Sequence, residues 1–126
     1  MPEEPGAKSP LVRYADETRA VSCPYGDVAR IVTGGAGGTA NVHVVSVTQG
    51  DAHFHEGYDE VYYVLEGKGG ITLDGTVHRL APGAVAVVPR GVVHSLLADP
   101  GEMLRFIIFG TPAMSVDDPR FLPRKP

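Results

Sequence analysis

The sequence predicts an all-β protein, built as an antiparallel sandwich or barrel. Short runs rich in Val, Ile, Tyr and Phe recur about every ten residues, and none of them continues into a convincing amphipathic helix. The 16 Gly and 11 Pro fall between these runs, where they mark turns. Short strands with frequent turns are typical of sandwiches and barrels.

Each predicted strand is an apolar run bounded by turn residues. Asp74-Gly75 separates two of the runs as a tight hairpin, because both residues tolerate positive φ. Further turns are marked at residues 66–69, 82–83, 90–91 and 99–101. In chain order, the predicted strands are residues 29–33, 41–48, 61–65, 71–73, 76–80, 84–88, 93–97 and 103–109.

Size and charge favour a single domain with a small-molecule substrate. The 126 residues suffice for one core, and a net charge of −4 without a basic run argues against a nucleic-acid partner. The longest apolar runs, residues 61–65 and 84–88, are too short to span a membrane. Cys23 is the one cysteine and the N-terminus shows no secretion signal, so we expect a cytoplasmic protein.

Three histidines and one carboxylate carry most of the functional information. His53, His55 and Glu60 stand in one short stretch, and His94 lies far downstream. In a strand, His53 and His55 would point to the same face, because side chains alternate with period two. Imidazoles with a carboxylate form a mixed nitrogen and oxygen ligand set. Such a set suits a divalent ion such as iron, manganese, zinc, nickel or copper.

The stretch around the first three ligands resembles the first motif of the cupin superfamily. His53-x-His55 is followed by four residues, then Glu60, six more residues and Gly67. One departure is visible, because Gly50 precedes His53 more closely than the glycine of the family motif does. The entry to the motif is therefore shortened or built differently.

The second cupin motif is matched downstream at the family's spacings. Gly83, Pro89, Gly91 and His94 occupy its positions, while Ala98 stands where the family often has Asn. That exchange removes a polar group but no metal ligand. Two motifs in the right order make the resemblance far more specific than a single pair of histidines.

The resemblance sharpens the predicted fold to a double-stranded β-helix, or jelly-roll barrel. We assign the cupin barrel to residues 29–110, an N-terminal arm to residues 1–28 and a Pro-rich tail to residues 111–126. The ends are rich in proline, which cannot pair in a central strand.

The resemblance also implies one divalent transition metal (Fe, Mn, Zn, Ni or Cu), bound by His53, His55, Glu60 and His94. His43 and His78 lie outside both motifs, and we expect structural or exposed roles for them.

Residues two places along a strand from a ligand share its face. From Glu60 this rule selects Tyr62, Val64 and Glu66, and from His94 it selects Leu96 and Ala98. Tyr62 is the candidate catalytic residue, as a hydrogen-bond donor to a substrate oxygen. The competing interpretation is a buried ring whose hydroxyl bonds to backbone.

The sequence leaves three points undecided: which side chains of the last strand face inward, and the roles of Tyr58 and Arg90. On the last strand the apolar pattern allows either residues 104, 106 and 108 or residues 103, 105 and 107 to face inward. Tyr58, between the ligands, is a weaker candidate for the site. Arg90 could meet a substrate carboxylate, although an exposed loop position is the simpler expectation.

Four protein ligands leave open positions on a metal with a larger coordination number, and two chemistries fit. Our first expectation is an oxidoreductase of the dioxygenase type. The alternatives are a non-redox isomerase, cyclase or lyase acting on a sugar or small carbonyl metabolite, and a non-catalytic binding module. Resembling proteins do both chemistries with the same ligands.

We also expect a homodimer. The terminal segments lack a core pattern of their own, and a small barrel has sheet edges that must be covered or paired. Residues 11–14 could supply an edge strand to a neighbouring copy.

Overall fold

Two antiparallel β-sheets packed face to face form the structure, a computed structural model that describes residues 10–36, 38–113 and 120–121. Short 3₁₀ turns cover Ala15–Glu17 and Gly34–Ala36. The strands are β1 (Val21–Cys23), β2 (Gly26–Val32), β3 (Asn41–Val47), β4 (Gln49–Phe54), β5 (Asp59–Glu66), β6 (Gly69–Leu73), β7 (Thr76–Leu80), β8 (Val85–Val88), β9 (His94–Ala98), β10 (Leu104–Thr111) and β11 (Arg120–Phe121).

The larger sheet has the strand order β1-β2-β3-β10-β5-β8, and the smaller sheet has the order β11-β4-β9-β6-β7. The chain crosses repeatedly between the sheets, for example from β3 to β4 and from β5 to β6. This is the jelly-roll arrangement, so the predicted all-β double-stranded β-helix is confirmed.

The core lies between the two sheets. It is formed by inward-pointing side chains, which alternate with outward-pointing ones along the strands. Along β3, buried and half-buried residues alternate without interruption from Asn41 to Val47. On β10 the inward set is Leu104, Phe106 and Ile108, which decides between the two sets that the sequence left open. Arg105 therefore points away from the cavity.

The expectation that residues two places apart along a strand share a face holds within the sheet and fails where the strand ends. Tyr62, Val64 and Leu96 are buried, and Ala98 packs against the core. The inward position predicted for Glu66 is wrong, because its side chain is largely exposed where β5 ends and lies 4.0 Å from the Arg105 guanidinium. At the end of β5, the favourable solvation of the charged carboxylate outweighs the tendency of side chains to alternate between the two faces.

Gly67 shows why the first motif ends on glycine. Its φ of 88° lies in the left-handed region, and a Cβ at this position would overlap the carbonyl oxygen of Met103. The chain can therefore leave β5 and enter β6 only with glycine at this position.

All eight predicted strands are present, with ends shifted by up to three residues. The sequence did not predict β1, β4 and β11. Strand β4 begins Gln-Gly-Asp-Ala, which has little intrinsic preference for a strand. It forms because β9 and β11 pair with it on either side.

The described part of the chain contains no helix long and apolar enough to cross a membrane. Strand β1 and the first residues of β2 fall within the segment 1–28 assigned to the arm. Much of the predicted arm and tail, at residues 1–9, 114–119 and 122–126, lies outside the described residues.

Candidate metal centre

Three buried histidines converge at the inner face of the smaller sheet. His53 on β4 pairs in register with His94 on β9, and His55 follows directly after β4. One ring nitrogen from each lies within 4.8 Å of the others. His53, His55 and His94 are 3%, 6% and 1% exposed, so all three rings are buried.

Backbone carbonyls orient two of these rings. His53 Nδ1 lies 2.8 Å from the carbonyl oxygen of Asp51, and His94 Nδ1 lies 3.0 Å from that of Val92. A carbonyl oxygen only accepts, so each Nδ1 carries the hydrogen and donates it. Each Nε2 is therefore left with a lone pair, which is the tautomer that a metal-binding histidine needs.

Glu60 supplies a carboxylate next to the histidines. It lies on β5 of the opposite sheet and is buried. Its Oε1 is 3.4 Å from His55 Nε2 and 3.5 Å from His94 Nε2. The structure thus brings all four predicted ligand residues to one place.

The electrostatics of the cluster disfavour a proton on His53. Burial, the neighbouring His94 and, to a smaller extent, His55 lower the pKa of His53 from 6.5 to about 4, although its bond to Asp51 and the charge of Glu60 oppose the shift. His53 is therefore neutral at ordinary pH. A neutral imidazole is the form that coordinates a metal.

The residues present fit a divalent metal. His94 Nε2 is buried and has no hydrogen-bond partner in the described part of the chain, although a buried polar atom normally has one. A cation among the three rings would satisfy that lone pair. The three-histidine group is thus positioned to bind a metal, and its mixed ligands suit several borderline ions.

The two motifs are joined by a backbone hydrogen bond. The amide of Gly91 donates to the carbonyl oxygen of His55 at 2.7 Å, and Gly91 has a φ of 84°. The glycine of the second motif therefore fixes the backbone of a histidine from the first.

Tyr62, the candidate catalytic residue, faces the cluster from β5. Its hydroxyl donates to Glu60 Oε1 at 3.2 Å, not to backbone. Its ring lies edge-on to His94, with centroids 6.0 Å apart, and stacks on Phe106. Burial raises the pKa of Tyr62 well above its usual value, and the nearby Glu60 charge adds to the effect. Tyr62 therefore keeps its proton.

A narrow cavity opens in front of this cluster. Its enclosed volume is about 20 Å³, about enough for one water molecule, and the rest of the space in front of the cluster opens to solvent. Four apolar side chains are among the residues that line it: Val45, Leu96, Phe106 and Ile108.

Three further residues line the cavity: Tyr25, His43 and Tyr58. Tyr25 stacks on His53 and Tyr58 stacks on His55, with ring centroids 5.1 Å and 4.6 Å apart. His43, on β3, is buried in the wall. The alternation that places Val45 inward would also have placed His43 inward, whereas no sequence pattern points to Tyr25.

Two other charged candidates lie elsewhere. Arg90 is half exposed, does not line the cavity and pairs with Asp59 through Nε at 3.2 Å and its backbone amide at 2.9 Å. The hydrogen bond from the backbone amide of Arg90, and then that from its guanidinium, hold the pKa of Asp59 below its usual value. For His78 we expected a structural or exposed role, and on β7 it is exposed.

Comparison with protein families gives a match to the middle of the chain. A family model described as a cupin domain matches residues 40–110, more than half of the chain. No curated protein sequence matches the chain.

Many solved structures are similar. The polyketide cyclase RemF from Streptomyces resistomycificus matches with a TM-score of 0.75 and 22% identity, over 93% of this chain and 88% of that one. A protein from Planctomyces limnophilus matches with a TM-score of 0.77 and 28% identity, over 90% and 97%. The Streptomyces nucleoside dehydratase Pac13 matches with a TM-score of 0.73 and 18% identity, over 90% and 92%.

Proposed function

The chain belongs to the cupin family, and we propose that it is a metal-dependent enzyme that moves protons on a small carbonyl or hydroxyl compound without net oxidation. Cyclisation, isomerisation and elimination are reactions of this class. The observation that carries the proposal is the buried Tyr62–Glu60 hydrogen bond beside the three-histidine group. A hydrogen-bond donor paired with an acceptor at a metal site suits general acid–base catalysis.

His53, His55 and His94, together with Glu60, would hold the metal. A divalent ion there supplies Lewis acidity, which polarises a carbonyl or acidifies a hydroxyl group. The backbone bonds of His53 and His94 keep these two rings in the ligand tautomer.

The hydroxyl of Tyr62 has one proton, which its raised pKa keeps in place at neutral pH. Glu60 accepts the hydrogen bond of that proton in the structure. On binding of a substrate, the hydroxyl would turn from Glu60 and donate this hydrogen bond to a substrate oxygen instead. The apolar residues of the cavity wall exclude water, which strengthens both interactions.

The names of two similar structures support a non-redox reaction. RemF is a polyketide cyclase and Pac13 is a nucleoside dehydratase, and neither name denotes an oxidation. Their likeness to this chain is one of fold, so they serve as examples of what such a barrel can do.

The dioxygenase reaction expected from the ligand set is the second candidate. The apolar wall formed by Val45, Leu96, Phe106 and Ile108 favours it, because such a wall suits both dioxygen and an apolar substrate. Turnover under argon separates the two candidates.

Metal binding is tested first, by elemental analysis of the purified protein and of His94→Ala. We expect one divalent ion per chain in the unaltered protein and a large loss in the variant. His78→Ala, an exposed histidine on β7, is the matched control and should keep its metal. Full occupancy in His94→Ala would refute the four-residue site.

Turnover is then tested with small β-hydroxy ketones, on protein loaded with one metal at a time. Loss of water or exchange of carbon-bound hydrogen under argon, abolished by a chelator, supports the proposal. Dependence on oxygen uptake would favour the dioxygenase. Equal binding of these compounds with and without metal, and no turnover, would indicate a non-catalytic binding module.

A further inference from the structure

The turn between β1 and β2 packs against the strand that carries His53. The amide of Asp51 on β4 donates to the carbonyl oxygen of Pro24 at 3.2 Å. A Cβ at Gly50 would lie only 3.1 Å from the carbonyl oxygen of Tyr25, so the absence of a side chain lets the turn lie close against β4. This contact gives a structural role to Gly50, which stands nearer to His53 than the glycine of the family motif does.

Tyr25, in this turn, reaches the metal centre through its ring. It stacks on His53 with ring centroids 5.1 Å apart and an interplanar angle of 30°, and it lines the cavity. Its hydroxyl oxygen accepts a hydrogen bond from Arg30 Nη2 at 3.0 Å. The same Nη2 donates to Cys23 Sγ at 3.7 Å. One guanidinium, on β2, therefore contacts the residues on either side of Pro24.

The His53 ring is restrained in two ways that complement each other. The hydrogen bond from its Nδ1 to the carbonyl oxygen of Asp51, at 2.8 Å, sets which edge of the ring faces the backbone. The stack on Tyr25 limits tilting of the ring plane. Both restraints meet where the turn contacts β4, because the amide of Asp51 bonds to Pro24.

We propose that Arg30 is a positioning residue of the metal centre, which acts through Tyr25 to hold the ring of His53 in the direction that a metal ligand needs. A guanidinium suits this role, because its N–H donors have a fixed planar geometry and here hold two neighbouring groups at once. The inference rests on the proposed function only in taking the three-histidine group as the metal site.

The test measures binding of cobalt(II), whose visible absorption reports the geometry of its ligands, to the unaltered protein, Arg30→Met, Tyr25→Phe and the double variant. Each single variant should lose about 10-fold in affinity, an effect typical of a partner that orients a ligand, and should shift the absorption band. Phe keeps the ring of Tyr25 but lacks the oxygen that Arg30 holds. The double variant should therefore bind cobalt(II) no more weakly than either single variant. Arg30→Lys keeps the charge and should recover part of the loss.

Arg79→Met is the matched control. Arg79 also donates to a neighbouring side chain, that of Asp99, but lies on exposed β7, so its loss should leave cobalt(II) affinity unchanged. Circular dichroism establishes that each variant folds. Unchanged affinity in folded Arg30→Met, or losses that add in the double variant, overturn the inference.

Two nuclear magnetic resonance measurements on chelator-treated protein need no metal. In the unaltered protein, a guanidinium held by Tyr25 should give separate Nη signals, whereas a freely rotating one gives a single average, which would overturn the inference without any variant. In Arg30→Met the signals of the His53 ring protons should shift, because the aromatic ring stacked on them moves.

These measurements separate the inference from the proposed function. Absence of cobalt(II) binding in the unaltered protein, with both resonance results as expected, would refute only the proposed function. Cobalt(II) binding with the His53 signals unmoved in Arg30→Met would refute only the role of Arg30.

Discussion

Tyr62 and Tyr63 are neighbours on β5 and point in opposite directions. Tyr62 is 2% exposed and bonds to Glu60, while Tyr63 is 43% exposed on the outer face. Tyr62→Phe should lower kcat by roughly 100-fold, the cost of removing a donor to a developing negative charge. Tyr63→Phe is the control and should leave kcat unchanged. Equal rates in the two variants would assign Tyr62 to packing alone.

The lowered pKa of His53 makes the metal-free protein sensitive to acid. Its value in the fold is about 4 against 6.5 unfolded, so the unfolded chain binds the extra proton first as pH falls. The free energy of unfolding is thus unaffected by His53 above pH 6.5 and falls between pH 6.5 and about 4, by up to about 3 kcal/mol.

Urea unfolding of chelator-treated protein across this pH range provides the measurement. His53→Asn removes the titrating ring and should show a flatter decline than the unaltered protein. Parallel declines in the two proteins would show that His53 is not the group responsible.

At the scale of the strand, Gly110 on β10 makes room for the ring of Tyr58. A Cβ at Gly110 would lie 3.2 Å from Tyr58 Cδ2, and Tyr58 stacks on His55. Gly110→Ala should therefore displace Tyr58, lower the free energy of unfolding by about 1–3 kcal/mol and weaken metal binding. The measurement is a metal titration alongside urea unfolding.

Gly70 on β6 is the matched control for this substitution. A Cβ there would also meet a side chain at 3.2 Å, that of Val77, but Val77 does not line the cavity. Gly70→Ala should reduce stability without changing metal affinity. Equal metal affinities in the two variants would contradict a role for Gly110 in shaping the site.

The strands differ in how far the sequence predicted them. Strand β5 contains the strand-favouring run Val61 to Val64 and its buried residues alternate, so local preference and burial agree, and both the strand and the inward position of Tyr62 were predicted. Strand β4 has Gly50, Asp51 and Ala52 and becomes a strand through its neighbours, which no local pattern reveals. The sequence could not predict which side chains of β10 point inward, because both of its alternating sets contain apolar residues. Packing against the opposite sheet decides between the two sets.

The candidate site, like the strands, was predicted only in part. Motif spacing identified the residues of the cluster, since ligand types at fixed intervals are visible in a sequence. It did not reveal the stacking of Tyr25 on His53, because Tyr25 comes from the turn between β1 and β2 and meets His53 only in space. It did not point to His43 either, which strand alternation would have placed inward beside Val45.

For the whole molecule, the outer face of the larger sheet supports the predicted homodimer, which stays a prediction. Phe109, Val61 and Val87 form one row across β10, β5 and β8, and Tyr63 and Val85 continue a second row. All five are at least 36% exposed. The ion pairs Asp59–Arg90 and Glu66–Arg105 flank this patch along β5, as a polar rim flanks the apolar centre of an interface.

We expect a mass of two chains in sedimentation at micromolar concentration, because an apolar patch with such a rim favours a second, identical patch. Val87→Lys should yield one chain, since a buried lysine without a partner is costly. Val77→Lys, on exposed β7 of the other sheet, is the control and should leave the assembly intact. A monomeric unaltered protein would refute the dimer.

The bond from Gly91 to His55 and the pairing of β4 with β9 join segments that are far apart along the chain. Such long-range contacts form late in folding, since a long loop must close before they contribute. A nascent or unfolded chain offers His53 and His55 as an isolated pair, without His94 or the oriented carboxylate. Capture of the proposed ion would therefore follow completion of both sheets, and we expect the rate at which metal is taken up during refolding to measure the closure of the barrel.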